Sequence, residues 1–368
     1  MFNVSELVIA FFISFFASLT LTLPVKKFAE KVGAVDVPNQ RKIHEKITPR
    51  MGGLSIYLGA VLGLLYIFPI HPQLEAIAIG SLIIVITGMI DDKYTLKPLI
   101  KLLAQITSAG ILIAAGVIID KITLPFLGVV YLDLFSIPVT LIWIVGITNA
   151  INLIDGLDGL ASGVSTIALT SILVLAIIDY RLLAVYFCIV LIGSNLGFLV
   201  HNFYPAKIYM GDTGSLFLGY SIAVISILGL LKNVALLSFI IPILVLAVPI
   251  FDTLFAIIRR LYNKENIMMP DKKHIHYQLI EAGLSHRATV LIIYGFSAVF
   301  GILAILFSEG SVATPYIVGF FLLFFLHILA ESAGLVGKGK KPVINFLCKK
   351  LKKEKNYLHK RDKVEQEP

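Results

Sequence analysis

Long apolar stretches, separated by short polar segments, dominate the hydrophobic pattern of this chain. A helix of about 20 mostly apolar residues can cross a bilayer, and a helix satisfies its backbone hydrogen bonds internally, as lipid requires. We predict an all-α integral membrane protein, a bundle of about eleven transmembrane helices. The predicted spans lie near residues 5–25, 52–70, 74–90, 98–119, 137–153, 159–179, 182–201, 214–231, 234–258, 288–307 and 313–333.

The composition agrees with lipid as the main solvent of the chain. Hydrophobic residues make up 58% of the sequence and the mean hydropathy is +0.91, whereas soluble domains are about 45–50% apolar. The first apolar stretch has no basic residues before it and no small-residue cleavage site, so we expect a spanning helix there and not a cleaved signal peptide. The two cysteines indicate neither a disulfide nor a metal site.

The distribution of the basic residues predicts the orientation of the helices. If the N-terminus lies outside and the spans alternate, 28 Lys and Arg residues fall in inner segments and only Lys121, Arg181 and Lys232 fall outside. Cytoplasmic loops of membrane proteins carry such an excess of Lys and Arg. We therefore expect the C-terminus, and most of the loops with polar residues, on the cytoplasmic side.

Two segments outside the apolar spans have local patterns of their own. We divide the chain into a transmembrane catalytic domain, 1–337, and a basic cytoplasmic tail, 338–368. The tail is either an amphipathic helix on an anionic membrane surface or a solvated basic segment. The outer segment 120–136 is rich in β-branched and aromatic residues, which favours a short hairpin.

The first unusual inner segment is an aspartate pair at the end of the third predicted span. Asp91 and Asp92 lie where the helix dipole disfavours negative charge. A pair of carboxylates there indicates a compensating cation or a role in proton transfer. The alternative is a solvated pair balanced by Lys93 and Lys97.

The second inner segment, 149–163, contains acids and amides but no Lys or Arg. Asn149, Asn152, Asp155 and Asp158 follow one another at spacings of three, which would place them on one side of a helix. Glycines at 156 and 159 would allow a turn and the close approach of a ligand. The alternative is a polar turn that caps two helices.

The third inner segment contains Asp212 between two glycines, just before a helix that we expect to begin near Thr213. Asp is a good N-cap, which is the structural interpretation. The functional interpretation is a ligand for magnesium, which is often held by one or two carboxylates and by phosphate oxygens of the substrate.

The remaining inner segments are basic. The loop 259–287 contains His274 and His276, whose rings would point the same way in an extended strand and could contact a pyrophosphate. A zinc site there would lack thiolates and further spaced ligands. Lys46 and Arg50 are candidate phosphate contacts, although the positive-inside rule alone also explains them. Together, acids and cations on one membrane face indicate magnesium-dependent phosphoryl transfer.

The motifs in these segments resemble the polyprenyl-phosphate N-acetylhexosamine-1-phosphate transferase superfamily, glycosyltransferase family 4. The matching stretches are TPRMGG at 48–53, DD at 91–92, NAINLIDGLDGL at 149–160, PAKIYMGDTGS at 205–215 and HIHY at 274–277. TPRMGG and HIH look closer to bacterial undecaprenyl-phosphate GlcNAc-1-phosphate transferases than to the related phospho-MurNAc-pentapeptide transferases. Many relatives have a third histidine where this chain has Tyr277.

The resemblance implies roles for thirteen residues. Those with catalytic roles are Asp91, Asp92, Lys101, His274 and His276. Those with substrate-binding roles are Lys46, Arg50, Asn149, Asp155, Gly156 and Asp158. Those that would hold Mg²⁺, for which Mn²⁺ could substitute, are Asn152 and Asp212.

The implied reaction moves GlcNAc-1-phosphate from UDP-GlcNAc, or a related UDP-sugar, to undecaprenyl phosphate at the cytoplasmic face of a bacterial plasma membrane. Its products are undecaprenyl-diphosphate-GlcNAc and UMP, which would begin a cell-envelope polysaccharide. Membrane lipids are further expected partners, nucleic acids are not, and a homodimer stays open. The alternatives are a phospho-MurNAc-pentapeptide transferase and, in another class, a secondary transporter of an anionic metabolite.

Overall fold

The computed structural model describes residues 3–36, 47–124, 128–229, 240–266, 273–309 and 314–332. Thirteen α-helices form most of this part of the chain. They are α1 Val4–Val32, α2 Gly53–Ile67, α3 Leu74–Tyr94, α4 Pro98–Ala114, α5 Ser136–Ile154, α6 Leu160–Ile178, α7 Leu182–Asn202, α8 Gly211–Gly229, α9 Ile240–Val245, α10 Ala247–Tyr262, α11 Ile275–Glu281, α12 His286–Ser308 and α13 Thr314–Ser332. Four short strands are β1 Val35–Asp36, β2 Thr48–Pro49, β3 Lys121–Leu124 and β4 Gly128–Tyr131.

The prediction of an all-α membrane protein is confirmed. Eight of the described helices are long and apolar enough to span a bilayer, namely α1, α3, α5, α6, α7, α8, α12 and α13. The helices α2 and α4 are apolar but shorter. The protein is therefore a multi-pass, all-α membrane protein, while the number of eleven spans and their orientation stay predictions.

The prediction of one continuous helix over residues 234–258 is wrong. The chain forms α9, which ends at Val245, and then α10, which begins at Ala247. Pro249 accounts for this break because its ring clashes with the carbonyl group four residues earlier, which belongs to Val245. The predicted segment also begins within 230–239, outside the described residues.

The helix α8 forms the centre of the bundle. About 89% of its most apolar stretch of 18 residues is buried, compared with 28% of the corresponding stretch of α1. Glycines bring the neighbouring helices very close to it: a Cβ on Gly53 of α2 would lie 2.0 Å from the Cα of Gly214, and a Cβ on Gly88 of α3 would lie 2.4 Å from the Cα of Thr213. Such small residues let helices in membranes pack backbone to backbone.

The polar segments collect at one end of the bundle. There α3, α5 and α7 end, α4, α6 and α8 begin, and strand β1 pairs with β2. At the other end, β3 and β4 pair with Lys121 opposite Tyr131, so the predicted hairpin is confirmed, while its position outside the membrane stays a prediction. The basic tail 338–368 lies outside the described residues.

Candidate active site

The second aspartate of the pair on α3 caps the start of α8. The carboxylate of Asp92 accepts hydrogen bonds from the backbone N–H of Asp212 at 2.9 Å, from the backbone N–H of Thr213 at 3.1 Å and from the hydroxyl of Thr213 at 2.6 Å. The positive end of the α8 dipole therefore compensates this carboxylate at the C-terminus of α3. Asp92 therefore joins α3 to the start of α8, and its catalytic role stays a prediction.

The first aspartate of the pair faces another helix. One oxygen of Asp91 accepts a hydrogen bond from the backbone N–H of Leu96 at 2.8 Å and lies 3.4 Å from the ammonium group of Lys101. Adjacent residues of a helix point about 100° apart, so two neighbouring aspartates reach different partners. The two aspartates of the pair therefore have different hydrogen-bond partners.

Lys101, on α4, links two carboxylates that come from distant parts of the chain. Its ammonium group donates a hydrogen bond to Asp212 at 2.8 Å and is also the neighbour of Asp91. Asp212 lies in the first turn of α8, which begins at Gly211. Its expected position before the helix is wrong, because Asp92 of α3 provides the cap in its place.

The predicted row of amides and acids in segment 149–163 divides into separate groups. Asn149 exchanges hydrogen bonds with Gln105 of α4, at 2.7 Å and 3.4 Å, and so joins two helices away from the acids. Asn152 donates to the hydroxyl of Ser215 on α8 at 2.8 Å, which places it beside Asp212. The prediction that Asp155 and Asp158 share a helical face with Asn152 is wrong, because α5 ends at Ile154.

Asp155 caps the C-terminus of α5 in a strongly anionic region. Burial and, after it, the neighbouring carboxylate of Asp212 together raise the pKa of this carboxyl to about 8, whereas Arg50 opposes the shift. The side chain of Asp158 accepts a hydrogen bond from the backbone N–H of Ala206 at 2.9 Å. Asp158 thereby fixes the loop between α7 and α8.

His274 precedes α11 and pairs with an acid that the sequence motifs did not single out. Its Nδ1 lies 2.7 Å from Asp252 of α10, and the other oxygen of Asp252 accepts the backbone N–H of Ile275 at 3.0 Å. The expected extended strand is wrong, because His276 lies in the first turn of α11. The two imidazole rings nevertheless lie almost parallel, with centroids 5.9 Å apart.

His276 is completely buried against the loop between α5 and α6. A Cβ on Gly156 would lie 2.2 Å from its Nε2, so only glycine leaves room for this ring. Neither ring nitrogen has a hydrogen-bond partner among the described residues. Burial lowers the pKa of this imidazole to about 4, which favours the neutral ring near neutral pH.

Arg50 directly follows β2 and points toward the acids. Its Nε lies 3.9 Å from the carboxylate of Asp36 on β1 and is a buried group without a hydrogen-bond partner in the described part of the chain. Burial lowers the pKa of this guanidinium, but the nearby carboxylates, Asp36 above all, outweigh burial and raise it. Lys46, the other predicted phosphate contact of this segment, lies outside the described residues.

Sequence patterns missed the residues that position the others. Asp252 and Asp36 support His274 and Arg50, and Thr213 completes the cap on α8. An isolated acid within an apolar helix was the available signal for Asp252, since such residues in spanning helices commonly have a defined partner.

Comparison with protein families gives one match. The family described as glycosyl transferase family 4 matches residues 74–230. This region extends from α3 to the end of α8 and contains both aspartates of the pair, Lys101 and Asp212.

Three relatives extend the similarity over most of the chain. The probable undecaprenyl-phosphate N-acetylglucosaminyl 1-phosphate transferase of Bacillus subtilis (strain 168) is 48% identical over 95% of this chain and 98% of its own. The decaprenyl-phosphate N-acetylglucosaminephosphotransferase of Mycobacterium tuberculosis (strain ATCC 25618 / H37Rv) is 38% identical over 74% of this chain and 75% of its own. The undecaprenyl-phosphate alpha-N-acetylglucosaminyl 1-phosphate transferase of Escherichia coli (strain K12) is 30% identical over 86% of this chain and 88% of its own.

Proposed function

The chain belongs to glycosyl transferase family 4, and on this premise we propose that it transfers GlcNAc-1-phosphate from UDP-GlcNAc to a polyprenyl phosphate. The observation that carries the proposal is the similarity to the Bacillus subtilis relative over nearly the whole of both chains. Undecaprenyl phosphate is the proposed acceptor because it appears in the names of that relative and of the Escherichia coli relative.

In the proposed reaction, a phosphate oxygen of the lipid attacks the β-phosphorus of UDP-GlcNAc. The bond between this phosphorus and the oxygen that bridges it to the α-phosphorus breaks, and UMP leaves with that oxygen. The new bond joins the lipid phosphate to GlcNAc-1-phosphate. We favour direct attack in line, because phosphoryl transfer depends mainly on positioning and on stabilisation of charge.

Asp91 and Lys101 are the groups that we assign to the lipid phosphate. Lys101 would attract the lipid phosphate, and Asp91 would orient this group or accept the proton of its monoanion. Their separation of 3.4 Å supports a joint role. Asp92 is assigned a positioning role, because its carboxylate is already occupied by three hydrogen bonds from α8.

Mg²⁺ fits the donors around Asp212, although the described residues contain no cluster of three His, Cys, Asp or Glu side chains that could hold a metal. Hard cations prefer oxygen ligands, and Mg²⁺ often takes one or two carboxylates together with phosphate oxygens of the substrate. Asp212 and the amide oxygen of Asn152 would supply the protein ligands. When bound, the ion would neutralise charge on the diphosphate.

The raised pKa of Asp155 also supports a cation in this region. Burial is the largest cause of that shift, the carboxylates of Asp212, Asp92 and Asp158 add to it, and Arg50 is the cation that opposes it. Mg²⁺ would reduce this excess of negative charge. Asp155 and the neighbouring loop would then orient the nucleotide side of the donor.

The histidines and Arg50 are the proposed contacts for the sugar phosphate. His276 and Arg50 each have a buried nitrogen without a hydrogen-bond partner in the described residues. Buried polar groups are normally satisfied, so a bound phosphate or sugar hydroxyl would complete both. Asn149 is less suited to bind substrate, because Gln105 already engages its side chain.

We further propose eleven spans with the N-terminus outside and the site on the cytoplasmic side of a bacterial plasma membrane. The distribution of basic residues supports this orientation. Labelling of single cysteines by a membrane-impermeant maleimide in intact cells would test it. A cysteine at Lys121 should react, whereas one at Lys97 should react only after lysis, and the reverse pattern would invert the proposed topology.

The function itself is tested by release of UMP. Purified protein with undecaprenyl phosphate should release UMP from UDP-GlcNAc only with a divalent cation, and the Asp212→Asn variant is the matched control. A panel with UDP-GalNAc and UDP-MurNAc-pentapeptide would identify the donor. Failure to release UMP from every donor would refute the proposal, and flux of an anionic metabolite into liposomes would favour the transporter alternative.

A further inference from the structure

The helix α10 holds the residues around His274 at two points. The carboxylate of Asp252 contacts the ring of His274 and the backbone N–H of Ile275, at 2.7 Å and 3.0 Å. One turn from its C-terminal end, Arg259 donates a hydrogen bond to the backbone carbonyl of Lys273 at 3.2 Å. The residues Asp252 and Arg259 are buried, with 4% and 3% exposure. The helix α10 therefore fixes the backbone of this turn at two positions.

The contact with Ile275 determines what Asp252 can do to the imidazole. An ionised carboxylate only accepts hydrogen bonds, so Nδ1 of His274 must carry a proton in order to face it. A carboxylate beside one ring nitrogen sets the tautomer and the orientation of the ring. The backbone N–H engages the second oxygen, which prevents the carboxylate from rotating away.

The orientation of His274 in turn affects the neighbouring ring. The planes of His274 and His276 differ by only 5°, and His276 lies against Gly156 in the loop that follows α5. A rotation of the first ring would therefore disturb the stack that contacts this loop. The break between α9 and α10 at Leu246 gives α10 a start of its own, from which Asp252 reaches the histidine turn.

We propose that Asp252 is a positioning residue, which holds His274 in the tautomer with protonated Nδ1 and thereby orients the His274–His276 pair at the phosphate site. This inference rests on the proposed function for its effect on turnover. The contact itself, and the tautomer that follows from it, are independent of which substrate the protein uses.

The substitution Asp252→Asn separates this role from a general structural one. The amide oxygen of Asn can still accept the N–H of Ile275, so its NH₂ group must face the imidazole. Nδ1 then has to become the acceptor, and the proton moves to Nε2. The variant keeps the backbone contact and the volume, while it removes the negative charge and changes the tautomer that the imidazole must adopt.

The first measurement needs no substrate. In protein labelled with ¹⁵N-histidine, the resonance of His274, assigned by its loss in His274→Ala, should show protonated Nδ1 in the parent protein and bare Nδ1 in Asp252→Asn. Arg259→Lys is the matched control, because it removes the contact with the carbonyl of Lys273 and should leave Nδ1 protonated. A bare Nδ1 in the parent protein, or no change in Asp252→Asn, would overturn the proposal.

The second measurement is a double-mutant cycle in turnover. Asp252→Asn should lower kcat on the order of 10–100-fold with little change of KM for UDP-GlcNAc, and should add less than about twofold in the His274→Ala background. An equal loss in both backgrounds would mean that Asp252 does not act through His274. If the parent protein released no UMP, the proposed function would fail, and the NMR result would still decide the assignment of Asp252.

Discussion

The two sides of the candidate active site differ in how their polar groups are satisfied. At the junction of α3 and α8, the carboxylate of Asp92 already receives three hydrogen bonds from Asp212 and Thr213. On the side of α11, both ring nitrogens of the buried His276 lack a partner in the described residues, as does the Nε of Arg50.

This difference separates scaffold from binding surface. A fully hydrogen-bonded carboxylate stabilises the junction of two helices and has little capacity left for a ligand. Buried donors and acceptors without partners cost free energy in the absence of a ligand, and a bound ligand that pairs with them recovers it. On the proposed function, Asp92 therefore holds the backbone in place, and substrate oxygens complete the hydrogen bonding of His276 and Arg50.

The largest expected effect concerns Asp212, which connects both sides. The substitution Asp212→Asn should reduce turnover by about 10³-fold or more, because it removes a proposed metal ligand and the charge partner of Lys101. Its backbone N–H still binds Asp92, so the midpoint of thermal unfolding should hardly change. UMP release and a thermal scan in detergent check both parts, and turnover within tenfold of the parent protein would contradict the role as a ligand.

The second prediction contrasts the two adjacent aspartates. Asp92→Ala leaves two buried backbone N–H groups and one hydroxyl without their acceptor, which should cost about 2–4 kcal/mol of stability. Asp91→Ala should lose less stability than Asp92→Ala. Relative to that loss of stability, its turnover should fall more.

Thermal midpoints and initial rates of both variants, measured in the same detergent, test this contrast. If Asp91→Ala were the less stable protein, the assignment of scaffold to Asp92 would be wrong.

The third prediction concerns the contact between the two loops that form the binding side. In Gly156→Ala, the new methyl group would lie 2.2 Å from Nε2 of His276, so the ring and the loop must move apart. Turnover should fall about tenfold, since small displacements of positioning groups are costly in catalysis.

Gly146→Ala in the preceding helix α5 is the matched control, because a Cβ there meets no atom within 4 Å. Its turnover should be unchanged, and its stability should increase slightly because Ala favours a helix interior over Gly. Equal rates for the two variants would show that the contact with His276 is unimportant.

The smallest expected effect is a dependence of stability on pH. The pKa of Asp155 is raised to about 8 in the folded protein, above its unfolded value near 4. The folded state therefore binds this proton more tightly, and stability is lost as the pH rises from about 4 through 8.

Asp155→Asn removes that loss, so it should exceed the parent protein in stability by about 1 kcal/mol or more at pH 8 and lose this advantage at pH 5. Thermal midpoints of both proteins across this range, without divalent cations, measure the difference. A constant difference between the two proteins over the range would rule out titration of Asp155.

The candidate site was predicted from the sequence at the level of segments more than of side chains. Alternation of spans places the segments with Asp91, Asp155, Asp212 and His274 at one end, and the structure brings those segments together there. Spacing alone did not separate Asp91 from Asp92, because helix packing decides that Asp91 meets Lys101 of α4 whereas Asp92 meets α8. The same reason explains why Asn149 was grouped with Asn152, although it pairs with Gln105.

Local backbone patterns were predicted unevenly. The hairpin of β3 and β4 follows from residues adjacent in sequence and was predicted correctly. The helical start of α11 was missed, because two histidines in alternation fit a strand as well as the first turn of a helix. The interruption at Leu246 has a local cause in Pro249, yet the uninterrupted apolar run around it concealed this signal.

The sequence by itself determined that this chain is a helical membrane protein of glycosyl transferase family 4, because hydrophobicity, helix length and motif order are properties of neighbouring residues. Only the tertiary structure decided which aspartate caps α8, which one meets Lys101, and that Asp252 orients His274. These pairings join residues that are 10 to 121 positions apart. Their choice depends on the packing of helices, which no local pattern encodes.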